Sequence, residues 1–322
     1  MPAVIAASYI NPAMFEIHVA GRCLHAPAGS NLLDQLLQAG LPISYSCRSG
    51  HCQSCLVRAE HHAVPDQARA PLSPALQAEG WLLACQCTVQ QDLHLRLYDP
   101  AKDGLPAQIE ALTALAAGVL RLRVRPARAL RFHPGQHLVI WLPCGTARTF
   151  SIASQTDSPI LEFHVQQRAG SQFCERLLQL GVGAPCHLGN ASGHLYYQAD
   201  WQDRPLLLLA RGTGLAPLQA IARDALHQGH QAGITLWHWQ RGEASCYLQE
   251  ELDALAQAYP SVHLQLRQQH QLDDDLRRLK APSRRALALV CGASAFVEQL
   301  GRPLFLAGLG RGQVLQEVFA KR

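Results

Sequence analysis

A chain of 322 residues with 48% hydrophobic and 16% charged side chains has room for two or three domains with their own cores and is too apolar to be disordered. A formal net charge of +4 over that length excludes a dedicated nucleic-acid binder. Eleven cysteines, an odd and scattered number, make no disulfide framework, and no run of about 18 apolar residues offers a membrane span. Met1–Phe15 lacks a basic region ahead of an apolar core, so the expectation is a cytoplasmic monomer with reduced thiols and no membrane partner. No internal repeats or low-complexity segments occur.

In chain order, Met14 to Val19 and Cys23 to Pro27 read as strands joined by a Gly21-Arg22 turn. Ser30 or Asn31 caps a helix carrying Leu32, Leu33, Leu36 and Leu37 on one face, and Gly40 stops it. Leu41 to Tyr45 then enters Cys47-Arg48-Ser49-Gly50-His51-Cys52-Gln53-Ser54-Cys55, a C-x4-C-x2-C run, with Cys85 or Cys87 downstream as a fourth thiol. That is the ligand spacing of a plant-type [2Fe–2S] centre, where two irons bridged by two sulfides need four thiolates. Gly50 can take positive φ, so the backbone can fold over the sulfurs. The alternative, structural zinc, ordinarily shows two close Cys/His pairs. Leu56 to Glu60 leaves the loop as a strand, Pro65, Pro71 and Pro74 mark an irregular passage, and Leu93 to Tyr98 closes a compact α+β unit over residues 1–99. That unit holds five Lys/Arg against seven Asp/Glu, leaving 23 and 17 for the remainder; the opposite signs favour docking of the two parts.

Asp99 to Pro106 reads as a polar linker. Short apolar segments follow at Ala107–Leu112, Val119–Val124, His137–Leu142, Phe150–Ala153 and Leu161–Val165, the spacing of a small antiparallel barrel. A third part opens with the continuous apolar run Pro205 to Leu209, the mark of a buried parallel strand. Arg211-Gly212-Thr213-Gly214-Leu215-Ala216-Pro217 and a helix from about Leu218 to His227 come next. Strand, glycine-rich turn and helix make the phosphate-binding geometry of a doubly wound fold, although the turn is not G-x-G-x-x-G. Ile234–Trp239, Val262–Leu266 and Ala286–Cys291 supply further strands.

Cys47 to Cys55 together with Leu82-Leu83-Ala84-Cys85-Gln86 resembles the ferredoxin domain of bacterial oxygenase reductases, in which a β-grasp ferredoxin is fused to a flavin reductase. The likeness implies Cys47, Cys52, Cys55 and Cys85 as metal ligands and Cys87 as a neighbour; Gln53 stands where the family often has glycine. Phe132-His133-Pro134-Gly135-Gln136 and Arg148-Thr149-Phe150-Ser151 resemble the F-x-P-G-Q and R-x-Y-S signatures of the ferredoxin–NADP reductase superfamily. They imply a flavin phosphate on the Arg148 fork, the isoalloxazine on Phe150, and Ser151 near flavin N5. His164 and Val165 resemble the strand that contacts the second part of FAD. Gly170 to Leu177 resembles a G-x-x-S-x-x-L segment, with Gly170 and Cys174 at a pyrophosphate-binding helix start.

Gly212, Thr213 and Gly214 resemble G-G-T-G-x-A-P with Arg211 in place of its first glycine, and Arg241 to Tyr247 resembles the region near the adenosine ribose. Leu289-Val290-Cys291-Gly292 resembles x-C-G-P-P-x-M, whose cysteine sits near the nicotinamide, with Ala293, Ser294 and Phe296 replacing the prolines and methionine. Phe319 is placed like the aromatic that covers the flavin in relatives; the other reading is a final helix or strand packing into the core. The resemblance implies a multidomain chain of α+β, all-β and α/β parts: β-grasp ferredoxin over 1–99, antiparallel β-barrel flavin domain over 104–200, and Rossmann-like parallel-sheet nucleotide domain over 204–322. It further implies NAD(P)H, FAD and a [2Fe–2S] cluster as cofactors, Ser151 and Cys291 at the reacting centre, and electrons split from two to one. The acceptor would be a Rieske or di-iron oxygenase component, or a deoxysugar-forming dehydratase. A different class, a redox-sensing or regulatory module on an altered reductase scaffold, is the alternative raised by Arg211, Phe150 and the changed Cys291 loop.

Overall fold

The computed structural model describes residues 13–60, 65–116, 118–240 and 247–319. The chain divides into two compact units, Met1–Asp99 and Pro100–Arg322.

In the first unit Met14–Val19 (β1) and Arg22–Pro27 (β2) pair antiparallel, with His18 opposite Cys23. Their turn falls on Ala20 and Gly21, both at positive φ, one residue before the expected Gly21-Arg22. A two-residue hairpin needs its left-handed residues at the tip. Leu32–Gln38 (α1) follows, with Leu32, Leu33 and Leu36 fully buried. Asn31, not Ser30, caps it: its Oδ1 accepts the Asp34 N–H at 3.4 Å, while its Nδ2 donates to the Cys85 carbonyl at 3.0 Å. One side chain thus ties the helix start to the segment bearing the fourth thiol.

After Leu56–Ala59 (β3), the proline-marked passage is two short helices, Asp66–Arg69 (α2) and Pro74–Ala78 (α3). Proline suits a helix's first turn, where its missing N–H has no partner to lose; Ser73 Oγ caps α3 through the Leu76 N–H. Trp81–Leu83 (β4), a 3-10 turn at Ala84–Gln86 and Leu93–Leu97 (β5) complete the unit. The sheet order is β2-β1-β5-β3-β4, parallel only between β1 and β5. Its inner face packs Ile17, Val19, Val57, Leu82 and Leu95 against α1, as in a β-grasp fold.

In the second unit the expected linker is instead a turn of helix, Pro100–Asp103 (α4), running into a twelve-residue strand, Leu105–Ala116 (β6). Then come Val119–Pro126 (β7), His137–Trp141 (β8), Ala147–Ser151 (β9), Leu161–Gln166 (β10), Gln172–Leu180 (α5) and Pro185–Leu188 (β11). The six strands form one antiparallel sheet in the order β10-β7-β6-β11-β8-β9. Its two edges meet just beyond β9, where the Ala153 N–H donates to the Glu162 carbonyl at 2.8 Å. Leu122, Leu138, Ile140 and Phe163 fill the interior.

The rest alternates strand and helix: Leu206–Arg211 (β12), Leu215–His227 (α6), Ile234–Gln240 (β13), Gln249–Ala258 (α7), Val262–Gln268 (β14), Leu272–Arg278 (α8), Leu287–Ala293 (β15), Ser294–Leu306 (α9) and Val314–Phe319 (β16). All five strands are parallel, in the order β14-β13-β12-β15-β16. The apolar run in β12 is explained by burial on both faces. Leu206, Leu208 and Ala210 pack with Leu218 and Ile221 of α6, and Leu207 and Leu209 pack with Phe296, Leu300 and Leu304 of α9. No described helix is long and apolar enough to cross a membrane.

Candidate redox centres

Four thiols gather in the first unit as two pairs. Cys52 N–H donates to Cys47 Sγ at 3.3 Å and Cys47 N–H to Cys52 Sγ at 3.4 Å; Cys55 and Cys85 are close enough for each thiol to shift the protonation of the other. Further donors point at the sulfurs: Ser49 N–H to Cys47 at 3.4 Å and Gln86 Nε2 to Cys85 at 3.4 Å. Gly50 takes the expected positive φ of 85°. Arg48 and Gln53 are also left-handed, at 55° and 52°, a conformation that costs non-glycine residues about 1–2 kcal/mol each. Arg48 is held by Asp34 at 2.7 Å and lies over the Tyr45 ring, and Gln53 Nε2 donates to the Pro71 carbonyl at 3.0 Å. The loop is therefore strained and braced, as at functional sites.

Each pair shares protons unevenly. A hydrogen bond from Cys52 holds the Cys47 thiol down at about 4, and the same bond with burial pushes Cys52 up. The Cys55 hydrogen bond likewise holds Cys85 at about 7 while Cys55 is raised. No three of these sulfurs lie within 4.8 Å of one another, whereas one tetrahedral zinc would gather all four at about 3.8 Å separations. Two pairs suit two metal atoms. Cys87 is buried in the core, its thiol pushed up to about 11 by desolvation, and it donates weakly to the Thr88 carbonyl at 4.0 Å.

In the second unit the ends of β9 and β16 meet. Ser151 Oγ donates to Glu317 Oε1 at 2.8 Å, and His137 Nδ1 lies 3.3 Å from the same oxygen. Glu317 was not anticipated. The available signal was its alternation with Phe319 along one strand, but its partners lie more than 160 residues away in sequence. Arg148 and Phe150 share the opposite face of β9 from Ser151; Phe150 is half-buried, its ring 5.0 Å from that of Phe173. Gly170 is left-handed at 74° just before Ser171, whose Oγ caps α5 through the Cys174 N–H at 3.4 Å.

Several expected contact residues turn their side chains inward. Val165 and Cys174 are core residues of the barrel. His164 is side-chain buried, with Nε2 3.1 Å from Glu162 Oε1, and burial lowers its pKa, so it is neutral near pH 7. Glu162 also pairs with Arg121 and Arg123; burial would raise its pKa, but the His164 hydrogen bond and the two guanidinium groups hold it at about 2.

Between β12 and β15 the strand order reverses direction, and such a switch point opens a crevice at the carboxyl ends of the strands. Gly212, Thr213 and Gly214 form a 3-10 turn there, beside Cys291 and Gly292. The Gly212 carbonyl accepts from His238 Nε2 at 3.0 Å and from the Tyr247 hydroxyl at 3.4 Å. A Cβ on Gly292 would come within 2.7 Å of Phe296, whose ring is fully buried against Trp239. Phe296 and the immediate start of α9 thus occupy the place where the resemblance implies a proline loop. Cys291, expected at the reacting centre, is fully buried in the core, and its thiol is raised well above the usual range by burial. Phe319 lies opposite Ala293 on β16, half-buried. Residues 241–246, most of the ribose-region motif, lie outside the described residues.

The family model for the 2Fe-2S iron-sulfur cluster binding domain matches residues 15–90, and that for the oxidoreductase NAD-binding domain matches residues 208–301. The reductase component of the naphthalene 1,2-dioxygenase/salicylate 5-hydroxylase systems of Ralstonia sp. is 30% identical over 92% of this chain and 95% of its own length. The chain belongs to the ferredoxin–NAD(P)(+) reductase components of oxygenase systems. The corresponding Pseudomonas putida naphthalene dioxygenase component is 31% identical over 75% of each chain. Among solved structures, an Amycolatopsis cytochrome P450 reductase superposes with a TM-score of 0.66 at 26% identity, covering 95% of this reductase and 99% of that chain. This reductase is an NAD(P)H-dependent oxidoreductase that carries electrons through FAD and a [2Fe–2S] centre. Nothing among these relatives supports the regulatory alternative.

Proposed function

We propose that the reductase supplies electrons from NAD(P)H to the terminal component of an oxygenase, in the cytoplasm, through three segments: a cluster domain at 1–99, a flavin domain at 104–200 and a nucleotide domain at 204–322. The observation that carries this reading is the four thiols standing as two pairs. Cys47 and Cys52 would hold one iron and Cys55 and Cys85 the other, with the Ser49 and Gln86 donors tuning the sulfurs.

The barrel suits a flavin. His164 Nδ1 is a buried polar atom without a hydrogen-bond partner in the structure, and beyond Gly170 an added Cβ would meet nothing within 4 Å. Arg148 would hold a phosphate, Phe150 would offer an aromatic face, and Gly170 with the start of α5 would take a pyrophosphate through backbone N–H groups. Val165 and Cys174 contribute main chain, their side chains being spent on packing. FAD, when bound, takes two electrons from nicotinamide and releases them singly to an iron–sulfur centre. Ser151 would orient the reacting edge of the ring through Oγ, and Glu317 accepts the hydrogen bond of that hydroxyl. Gly212, Thr213, Gly214 and Gly292 shape the crevice for the pyridine nucleotide, Cys291 fixes the crevice floor from within the core, and Phe319 borders it.

The test is an anaerobic titration of the purified protein with NADH and NADPH. Bleaching of the flavin band, followed by the low-temperature signal of a reduced [2Fe–2S] centre and by reduction of cytochrome c, supports the proposal. A protein that neither nucleotide bleaches refutes it.

A further inference from the structure

The outer face of the first unit's sheet carries a group of side chains that none of the electron-transfer chemistry uses. The inner face of β1, β2 and β5 is aliphatic, with Ile17, Val19, Ala26, Leu93 and Leu95 all buried. Strand alternation sends Glu16 and His18 of β1, Cys23 of β2 and His94 of β5 to the opposite side. The pairing register then sets them together: Cys23 is directly opposite His18 on one flank, and His94 is level with His18 on the other. Among the described residues, Glu16, His18 and Cys23 are the only three whose ligand atoms all lie within 4.8 Å of one another. His18 Nε2 is already 3.0 Å from Glu16 Oε2, and the His94 ring stacks on His18 at 4.5 Å with planes 9° apart. Asp92 fixes this corner by accepting the Glu16 backbone N–H at 2.8 Å.

We propose that Glu16, His18 and Cys23 bind a divalent zinc ion, the fourth position being filled by water or by His94. A thiolate, an imidazole and a carboxylate form a borderline-soft donor set that suits zinc and does not suit calcium or magnesium, which take oxygen ligands. Zinc bonds of about 2.0–2.3 Å place neighbouring ligand atoms about 3.3–3.8 Å apart. The three ligand atoms already lie within 4.8 Å of one another, so they are at most about 1–1.5 Å from that spacing. β2 is the edge strand of the sheet, so the ion would clip that edge to β1. This site is independent of the cluster thiols, none of which takes part in it.

The experiment uses the cluster-loaded, flavin-loaded protein under anaerobic conditions with one equivalent of zinc chloride. Iodoacetamide labelling resolved by mass spectrometry compares Cys23 with Cys144, the other exposed described thiol, which serves as internal control. Zinc is expected to slow labelling of Cys23 at least tenfold and leave Cys144 unchanged. His18→Ala should abolish that protection, and both His18→Ala and Cys23→Ser should lose one zinc per chain in equilibrium dialysis, with iron content and cluster absorbance unaltered. Equal protection of Cys23 and Cys144, zinc retention unchanged in both variants, or zinc uptake only at the expense of iron would each overturn the proposal.

Discussion

Gly214 gives the sharpest probe of the nucleotide crevice, because its conformation does not require glycine. Its φ of −59° and ψ of −16° are helical, a geometry in which alanine is favoured by up to about 1 kcal/mol. What forbids alanine is proximity. A Cβ there would overlap the Cys291 carbonyl oxygen and lie 2.6 Å from its carbonyl carbon and 3.2 Å from the Gly292 nitrogen. These are main-chain atoms of the central strand β15, so relief needs the ends of β12 and β15 to part by about 1 Å. Overpacking of this kind costs about 1–3 kcal/mol, leaving a net loss of up to about 2 kcal/mol after the helical gain. The functional effect should be larger, since displacing a reactant by about 1 Å can cost about 100-fold in rate. Gly214→Ala should therefore lower the stopped-flow rate of flavin bleaching by NAD(P)H at least tenfold. The visible spectrum of the cluster and its reduction by dithionite should stay as in the parent protein. A variant that bleaches at more than half the parent rate with an unchanged nucleotide KM would show that the crevice between β12 and β15 is not where the nucleotide reacts.

Cys85→Ser should abolish the cluster absorbance, whereas Cys87→Ala should keep it and cost about 1 kcal/mol in urea unfolding of the first unit; an intact cluster in Cys85→Ser would reverse the ligand assignment. Glu317→Gln removes the charged acceptor of the Ser151 hydroxyl and should slow flavin reduction about 10- to 100-fold at unchanged flavin content; stopped-flow mixing at saturating nucleotide decides it, and a parental rate would remove Glu317 from the centre. Glu162, held at about 2 in the folded chain against 4.5 ordinarily, stabilises the barrel by up to about 3 kcal/mol above pH 4.5. That contribution fades as pH falls from 4.5 through 2, because protonation is then easier in the unfolded chain. Since His164 is neutral near pH 7, the arginines and the His164 hydrogen bond supply it, so Glu162→Gln should be less stable at pH 7 by denaturant titration and show a flatter acid limb.

The local parts of this molecule were legible because local chemistry dictates them. The nine-residue cysteine loop must carry its spacing in sequence, and the two-sided burial of β12 forces an unbroken apolar run. Where proline was read as irregular, Pro65 and Pro74 instead precede or open short helices, since the first helical turn tolerates the missing N–H. β11, four residues beginning with Pro185, and β4, three residues long, are too short to show a period. The polar stretch after Asp99 reads as a linker because it is polar and contains glycine and proline, yet Leu105 and Pro106 pair with Leu188 and His187. Long-range partners were illegible on principle. Nothing near Glu317 announces Ser151 or His137, and nothing near Gly214 announces the Cys291 carbonyl. Cys291 itself was given a chemical role by its motif, whereas its surroundings are those of a packed core.

Glu317 belongs to the last described strand, and the hydroxyl it holds belongs to a strand completed more than 160 residues earlier. During synthesis the first unit, and then the barrel, can emerge and fold while the Ser151 hydroxyl still lacks its carboxylate acceptor. A chain cut short before β16 should therefore take electrons from NAD(P)H more slowly than the whole protein does. Translation order thereby completes the Ser151, His137 and Glu317 corner last.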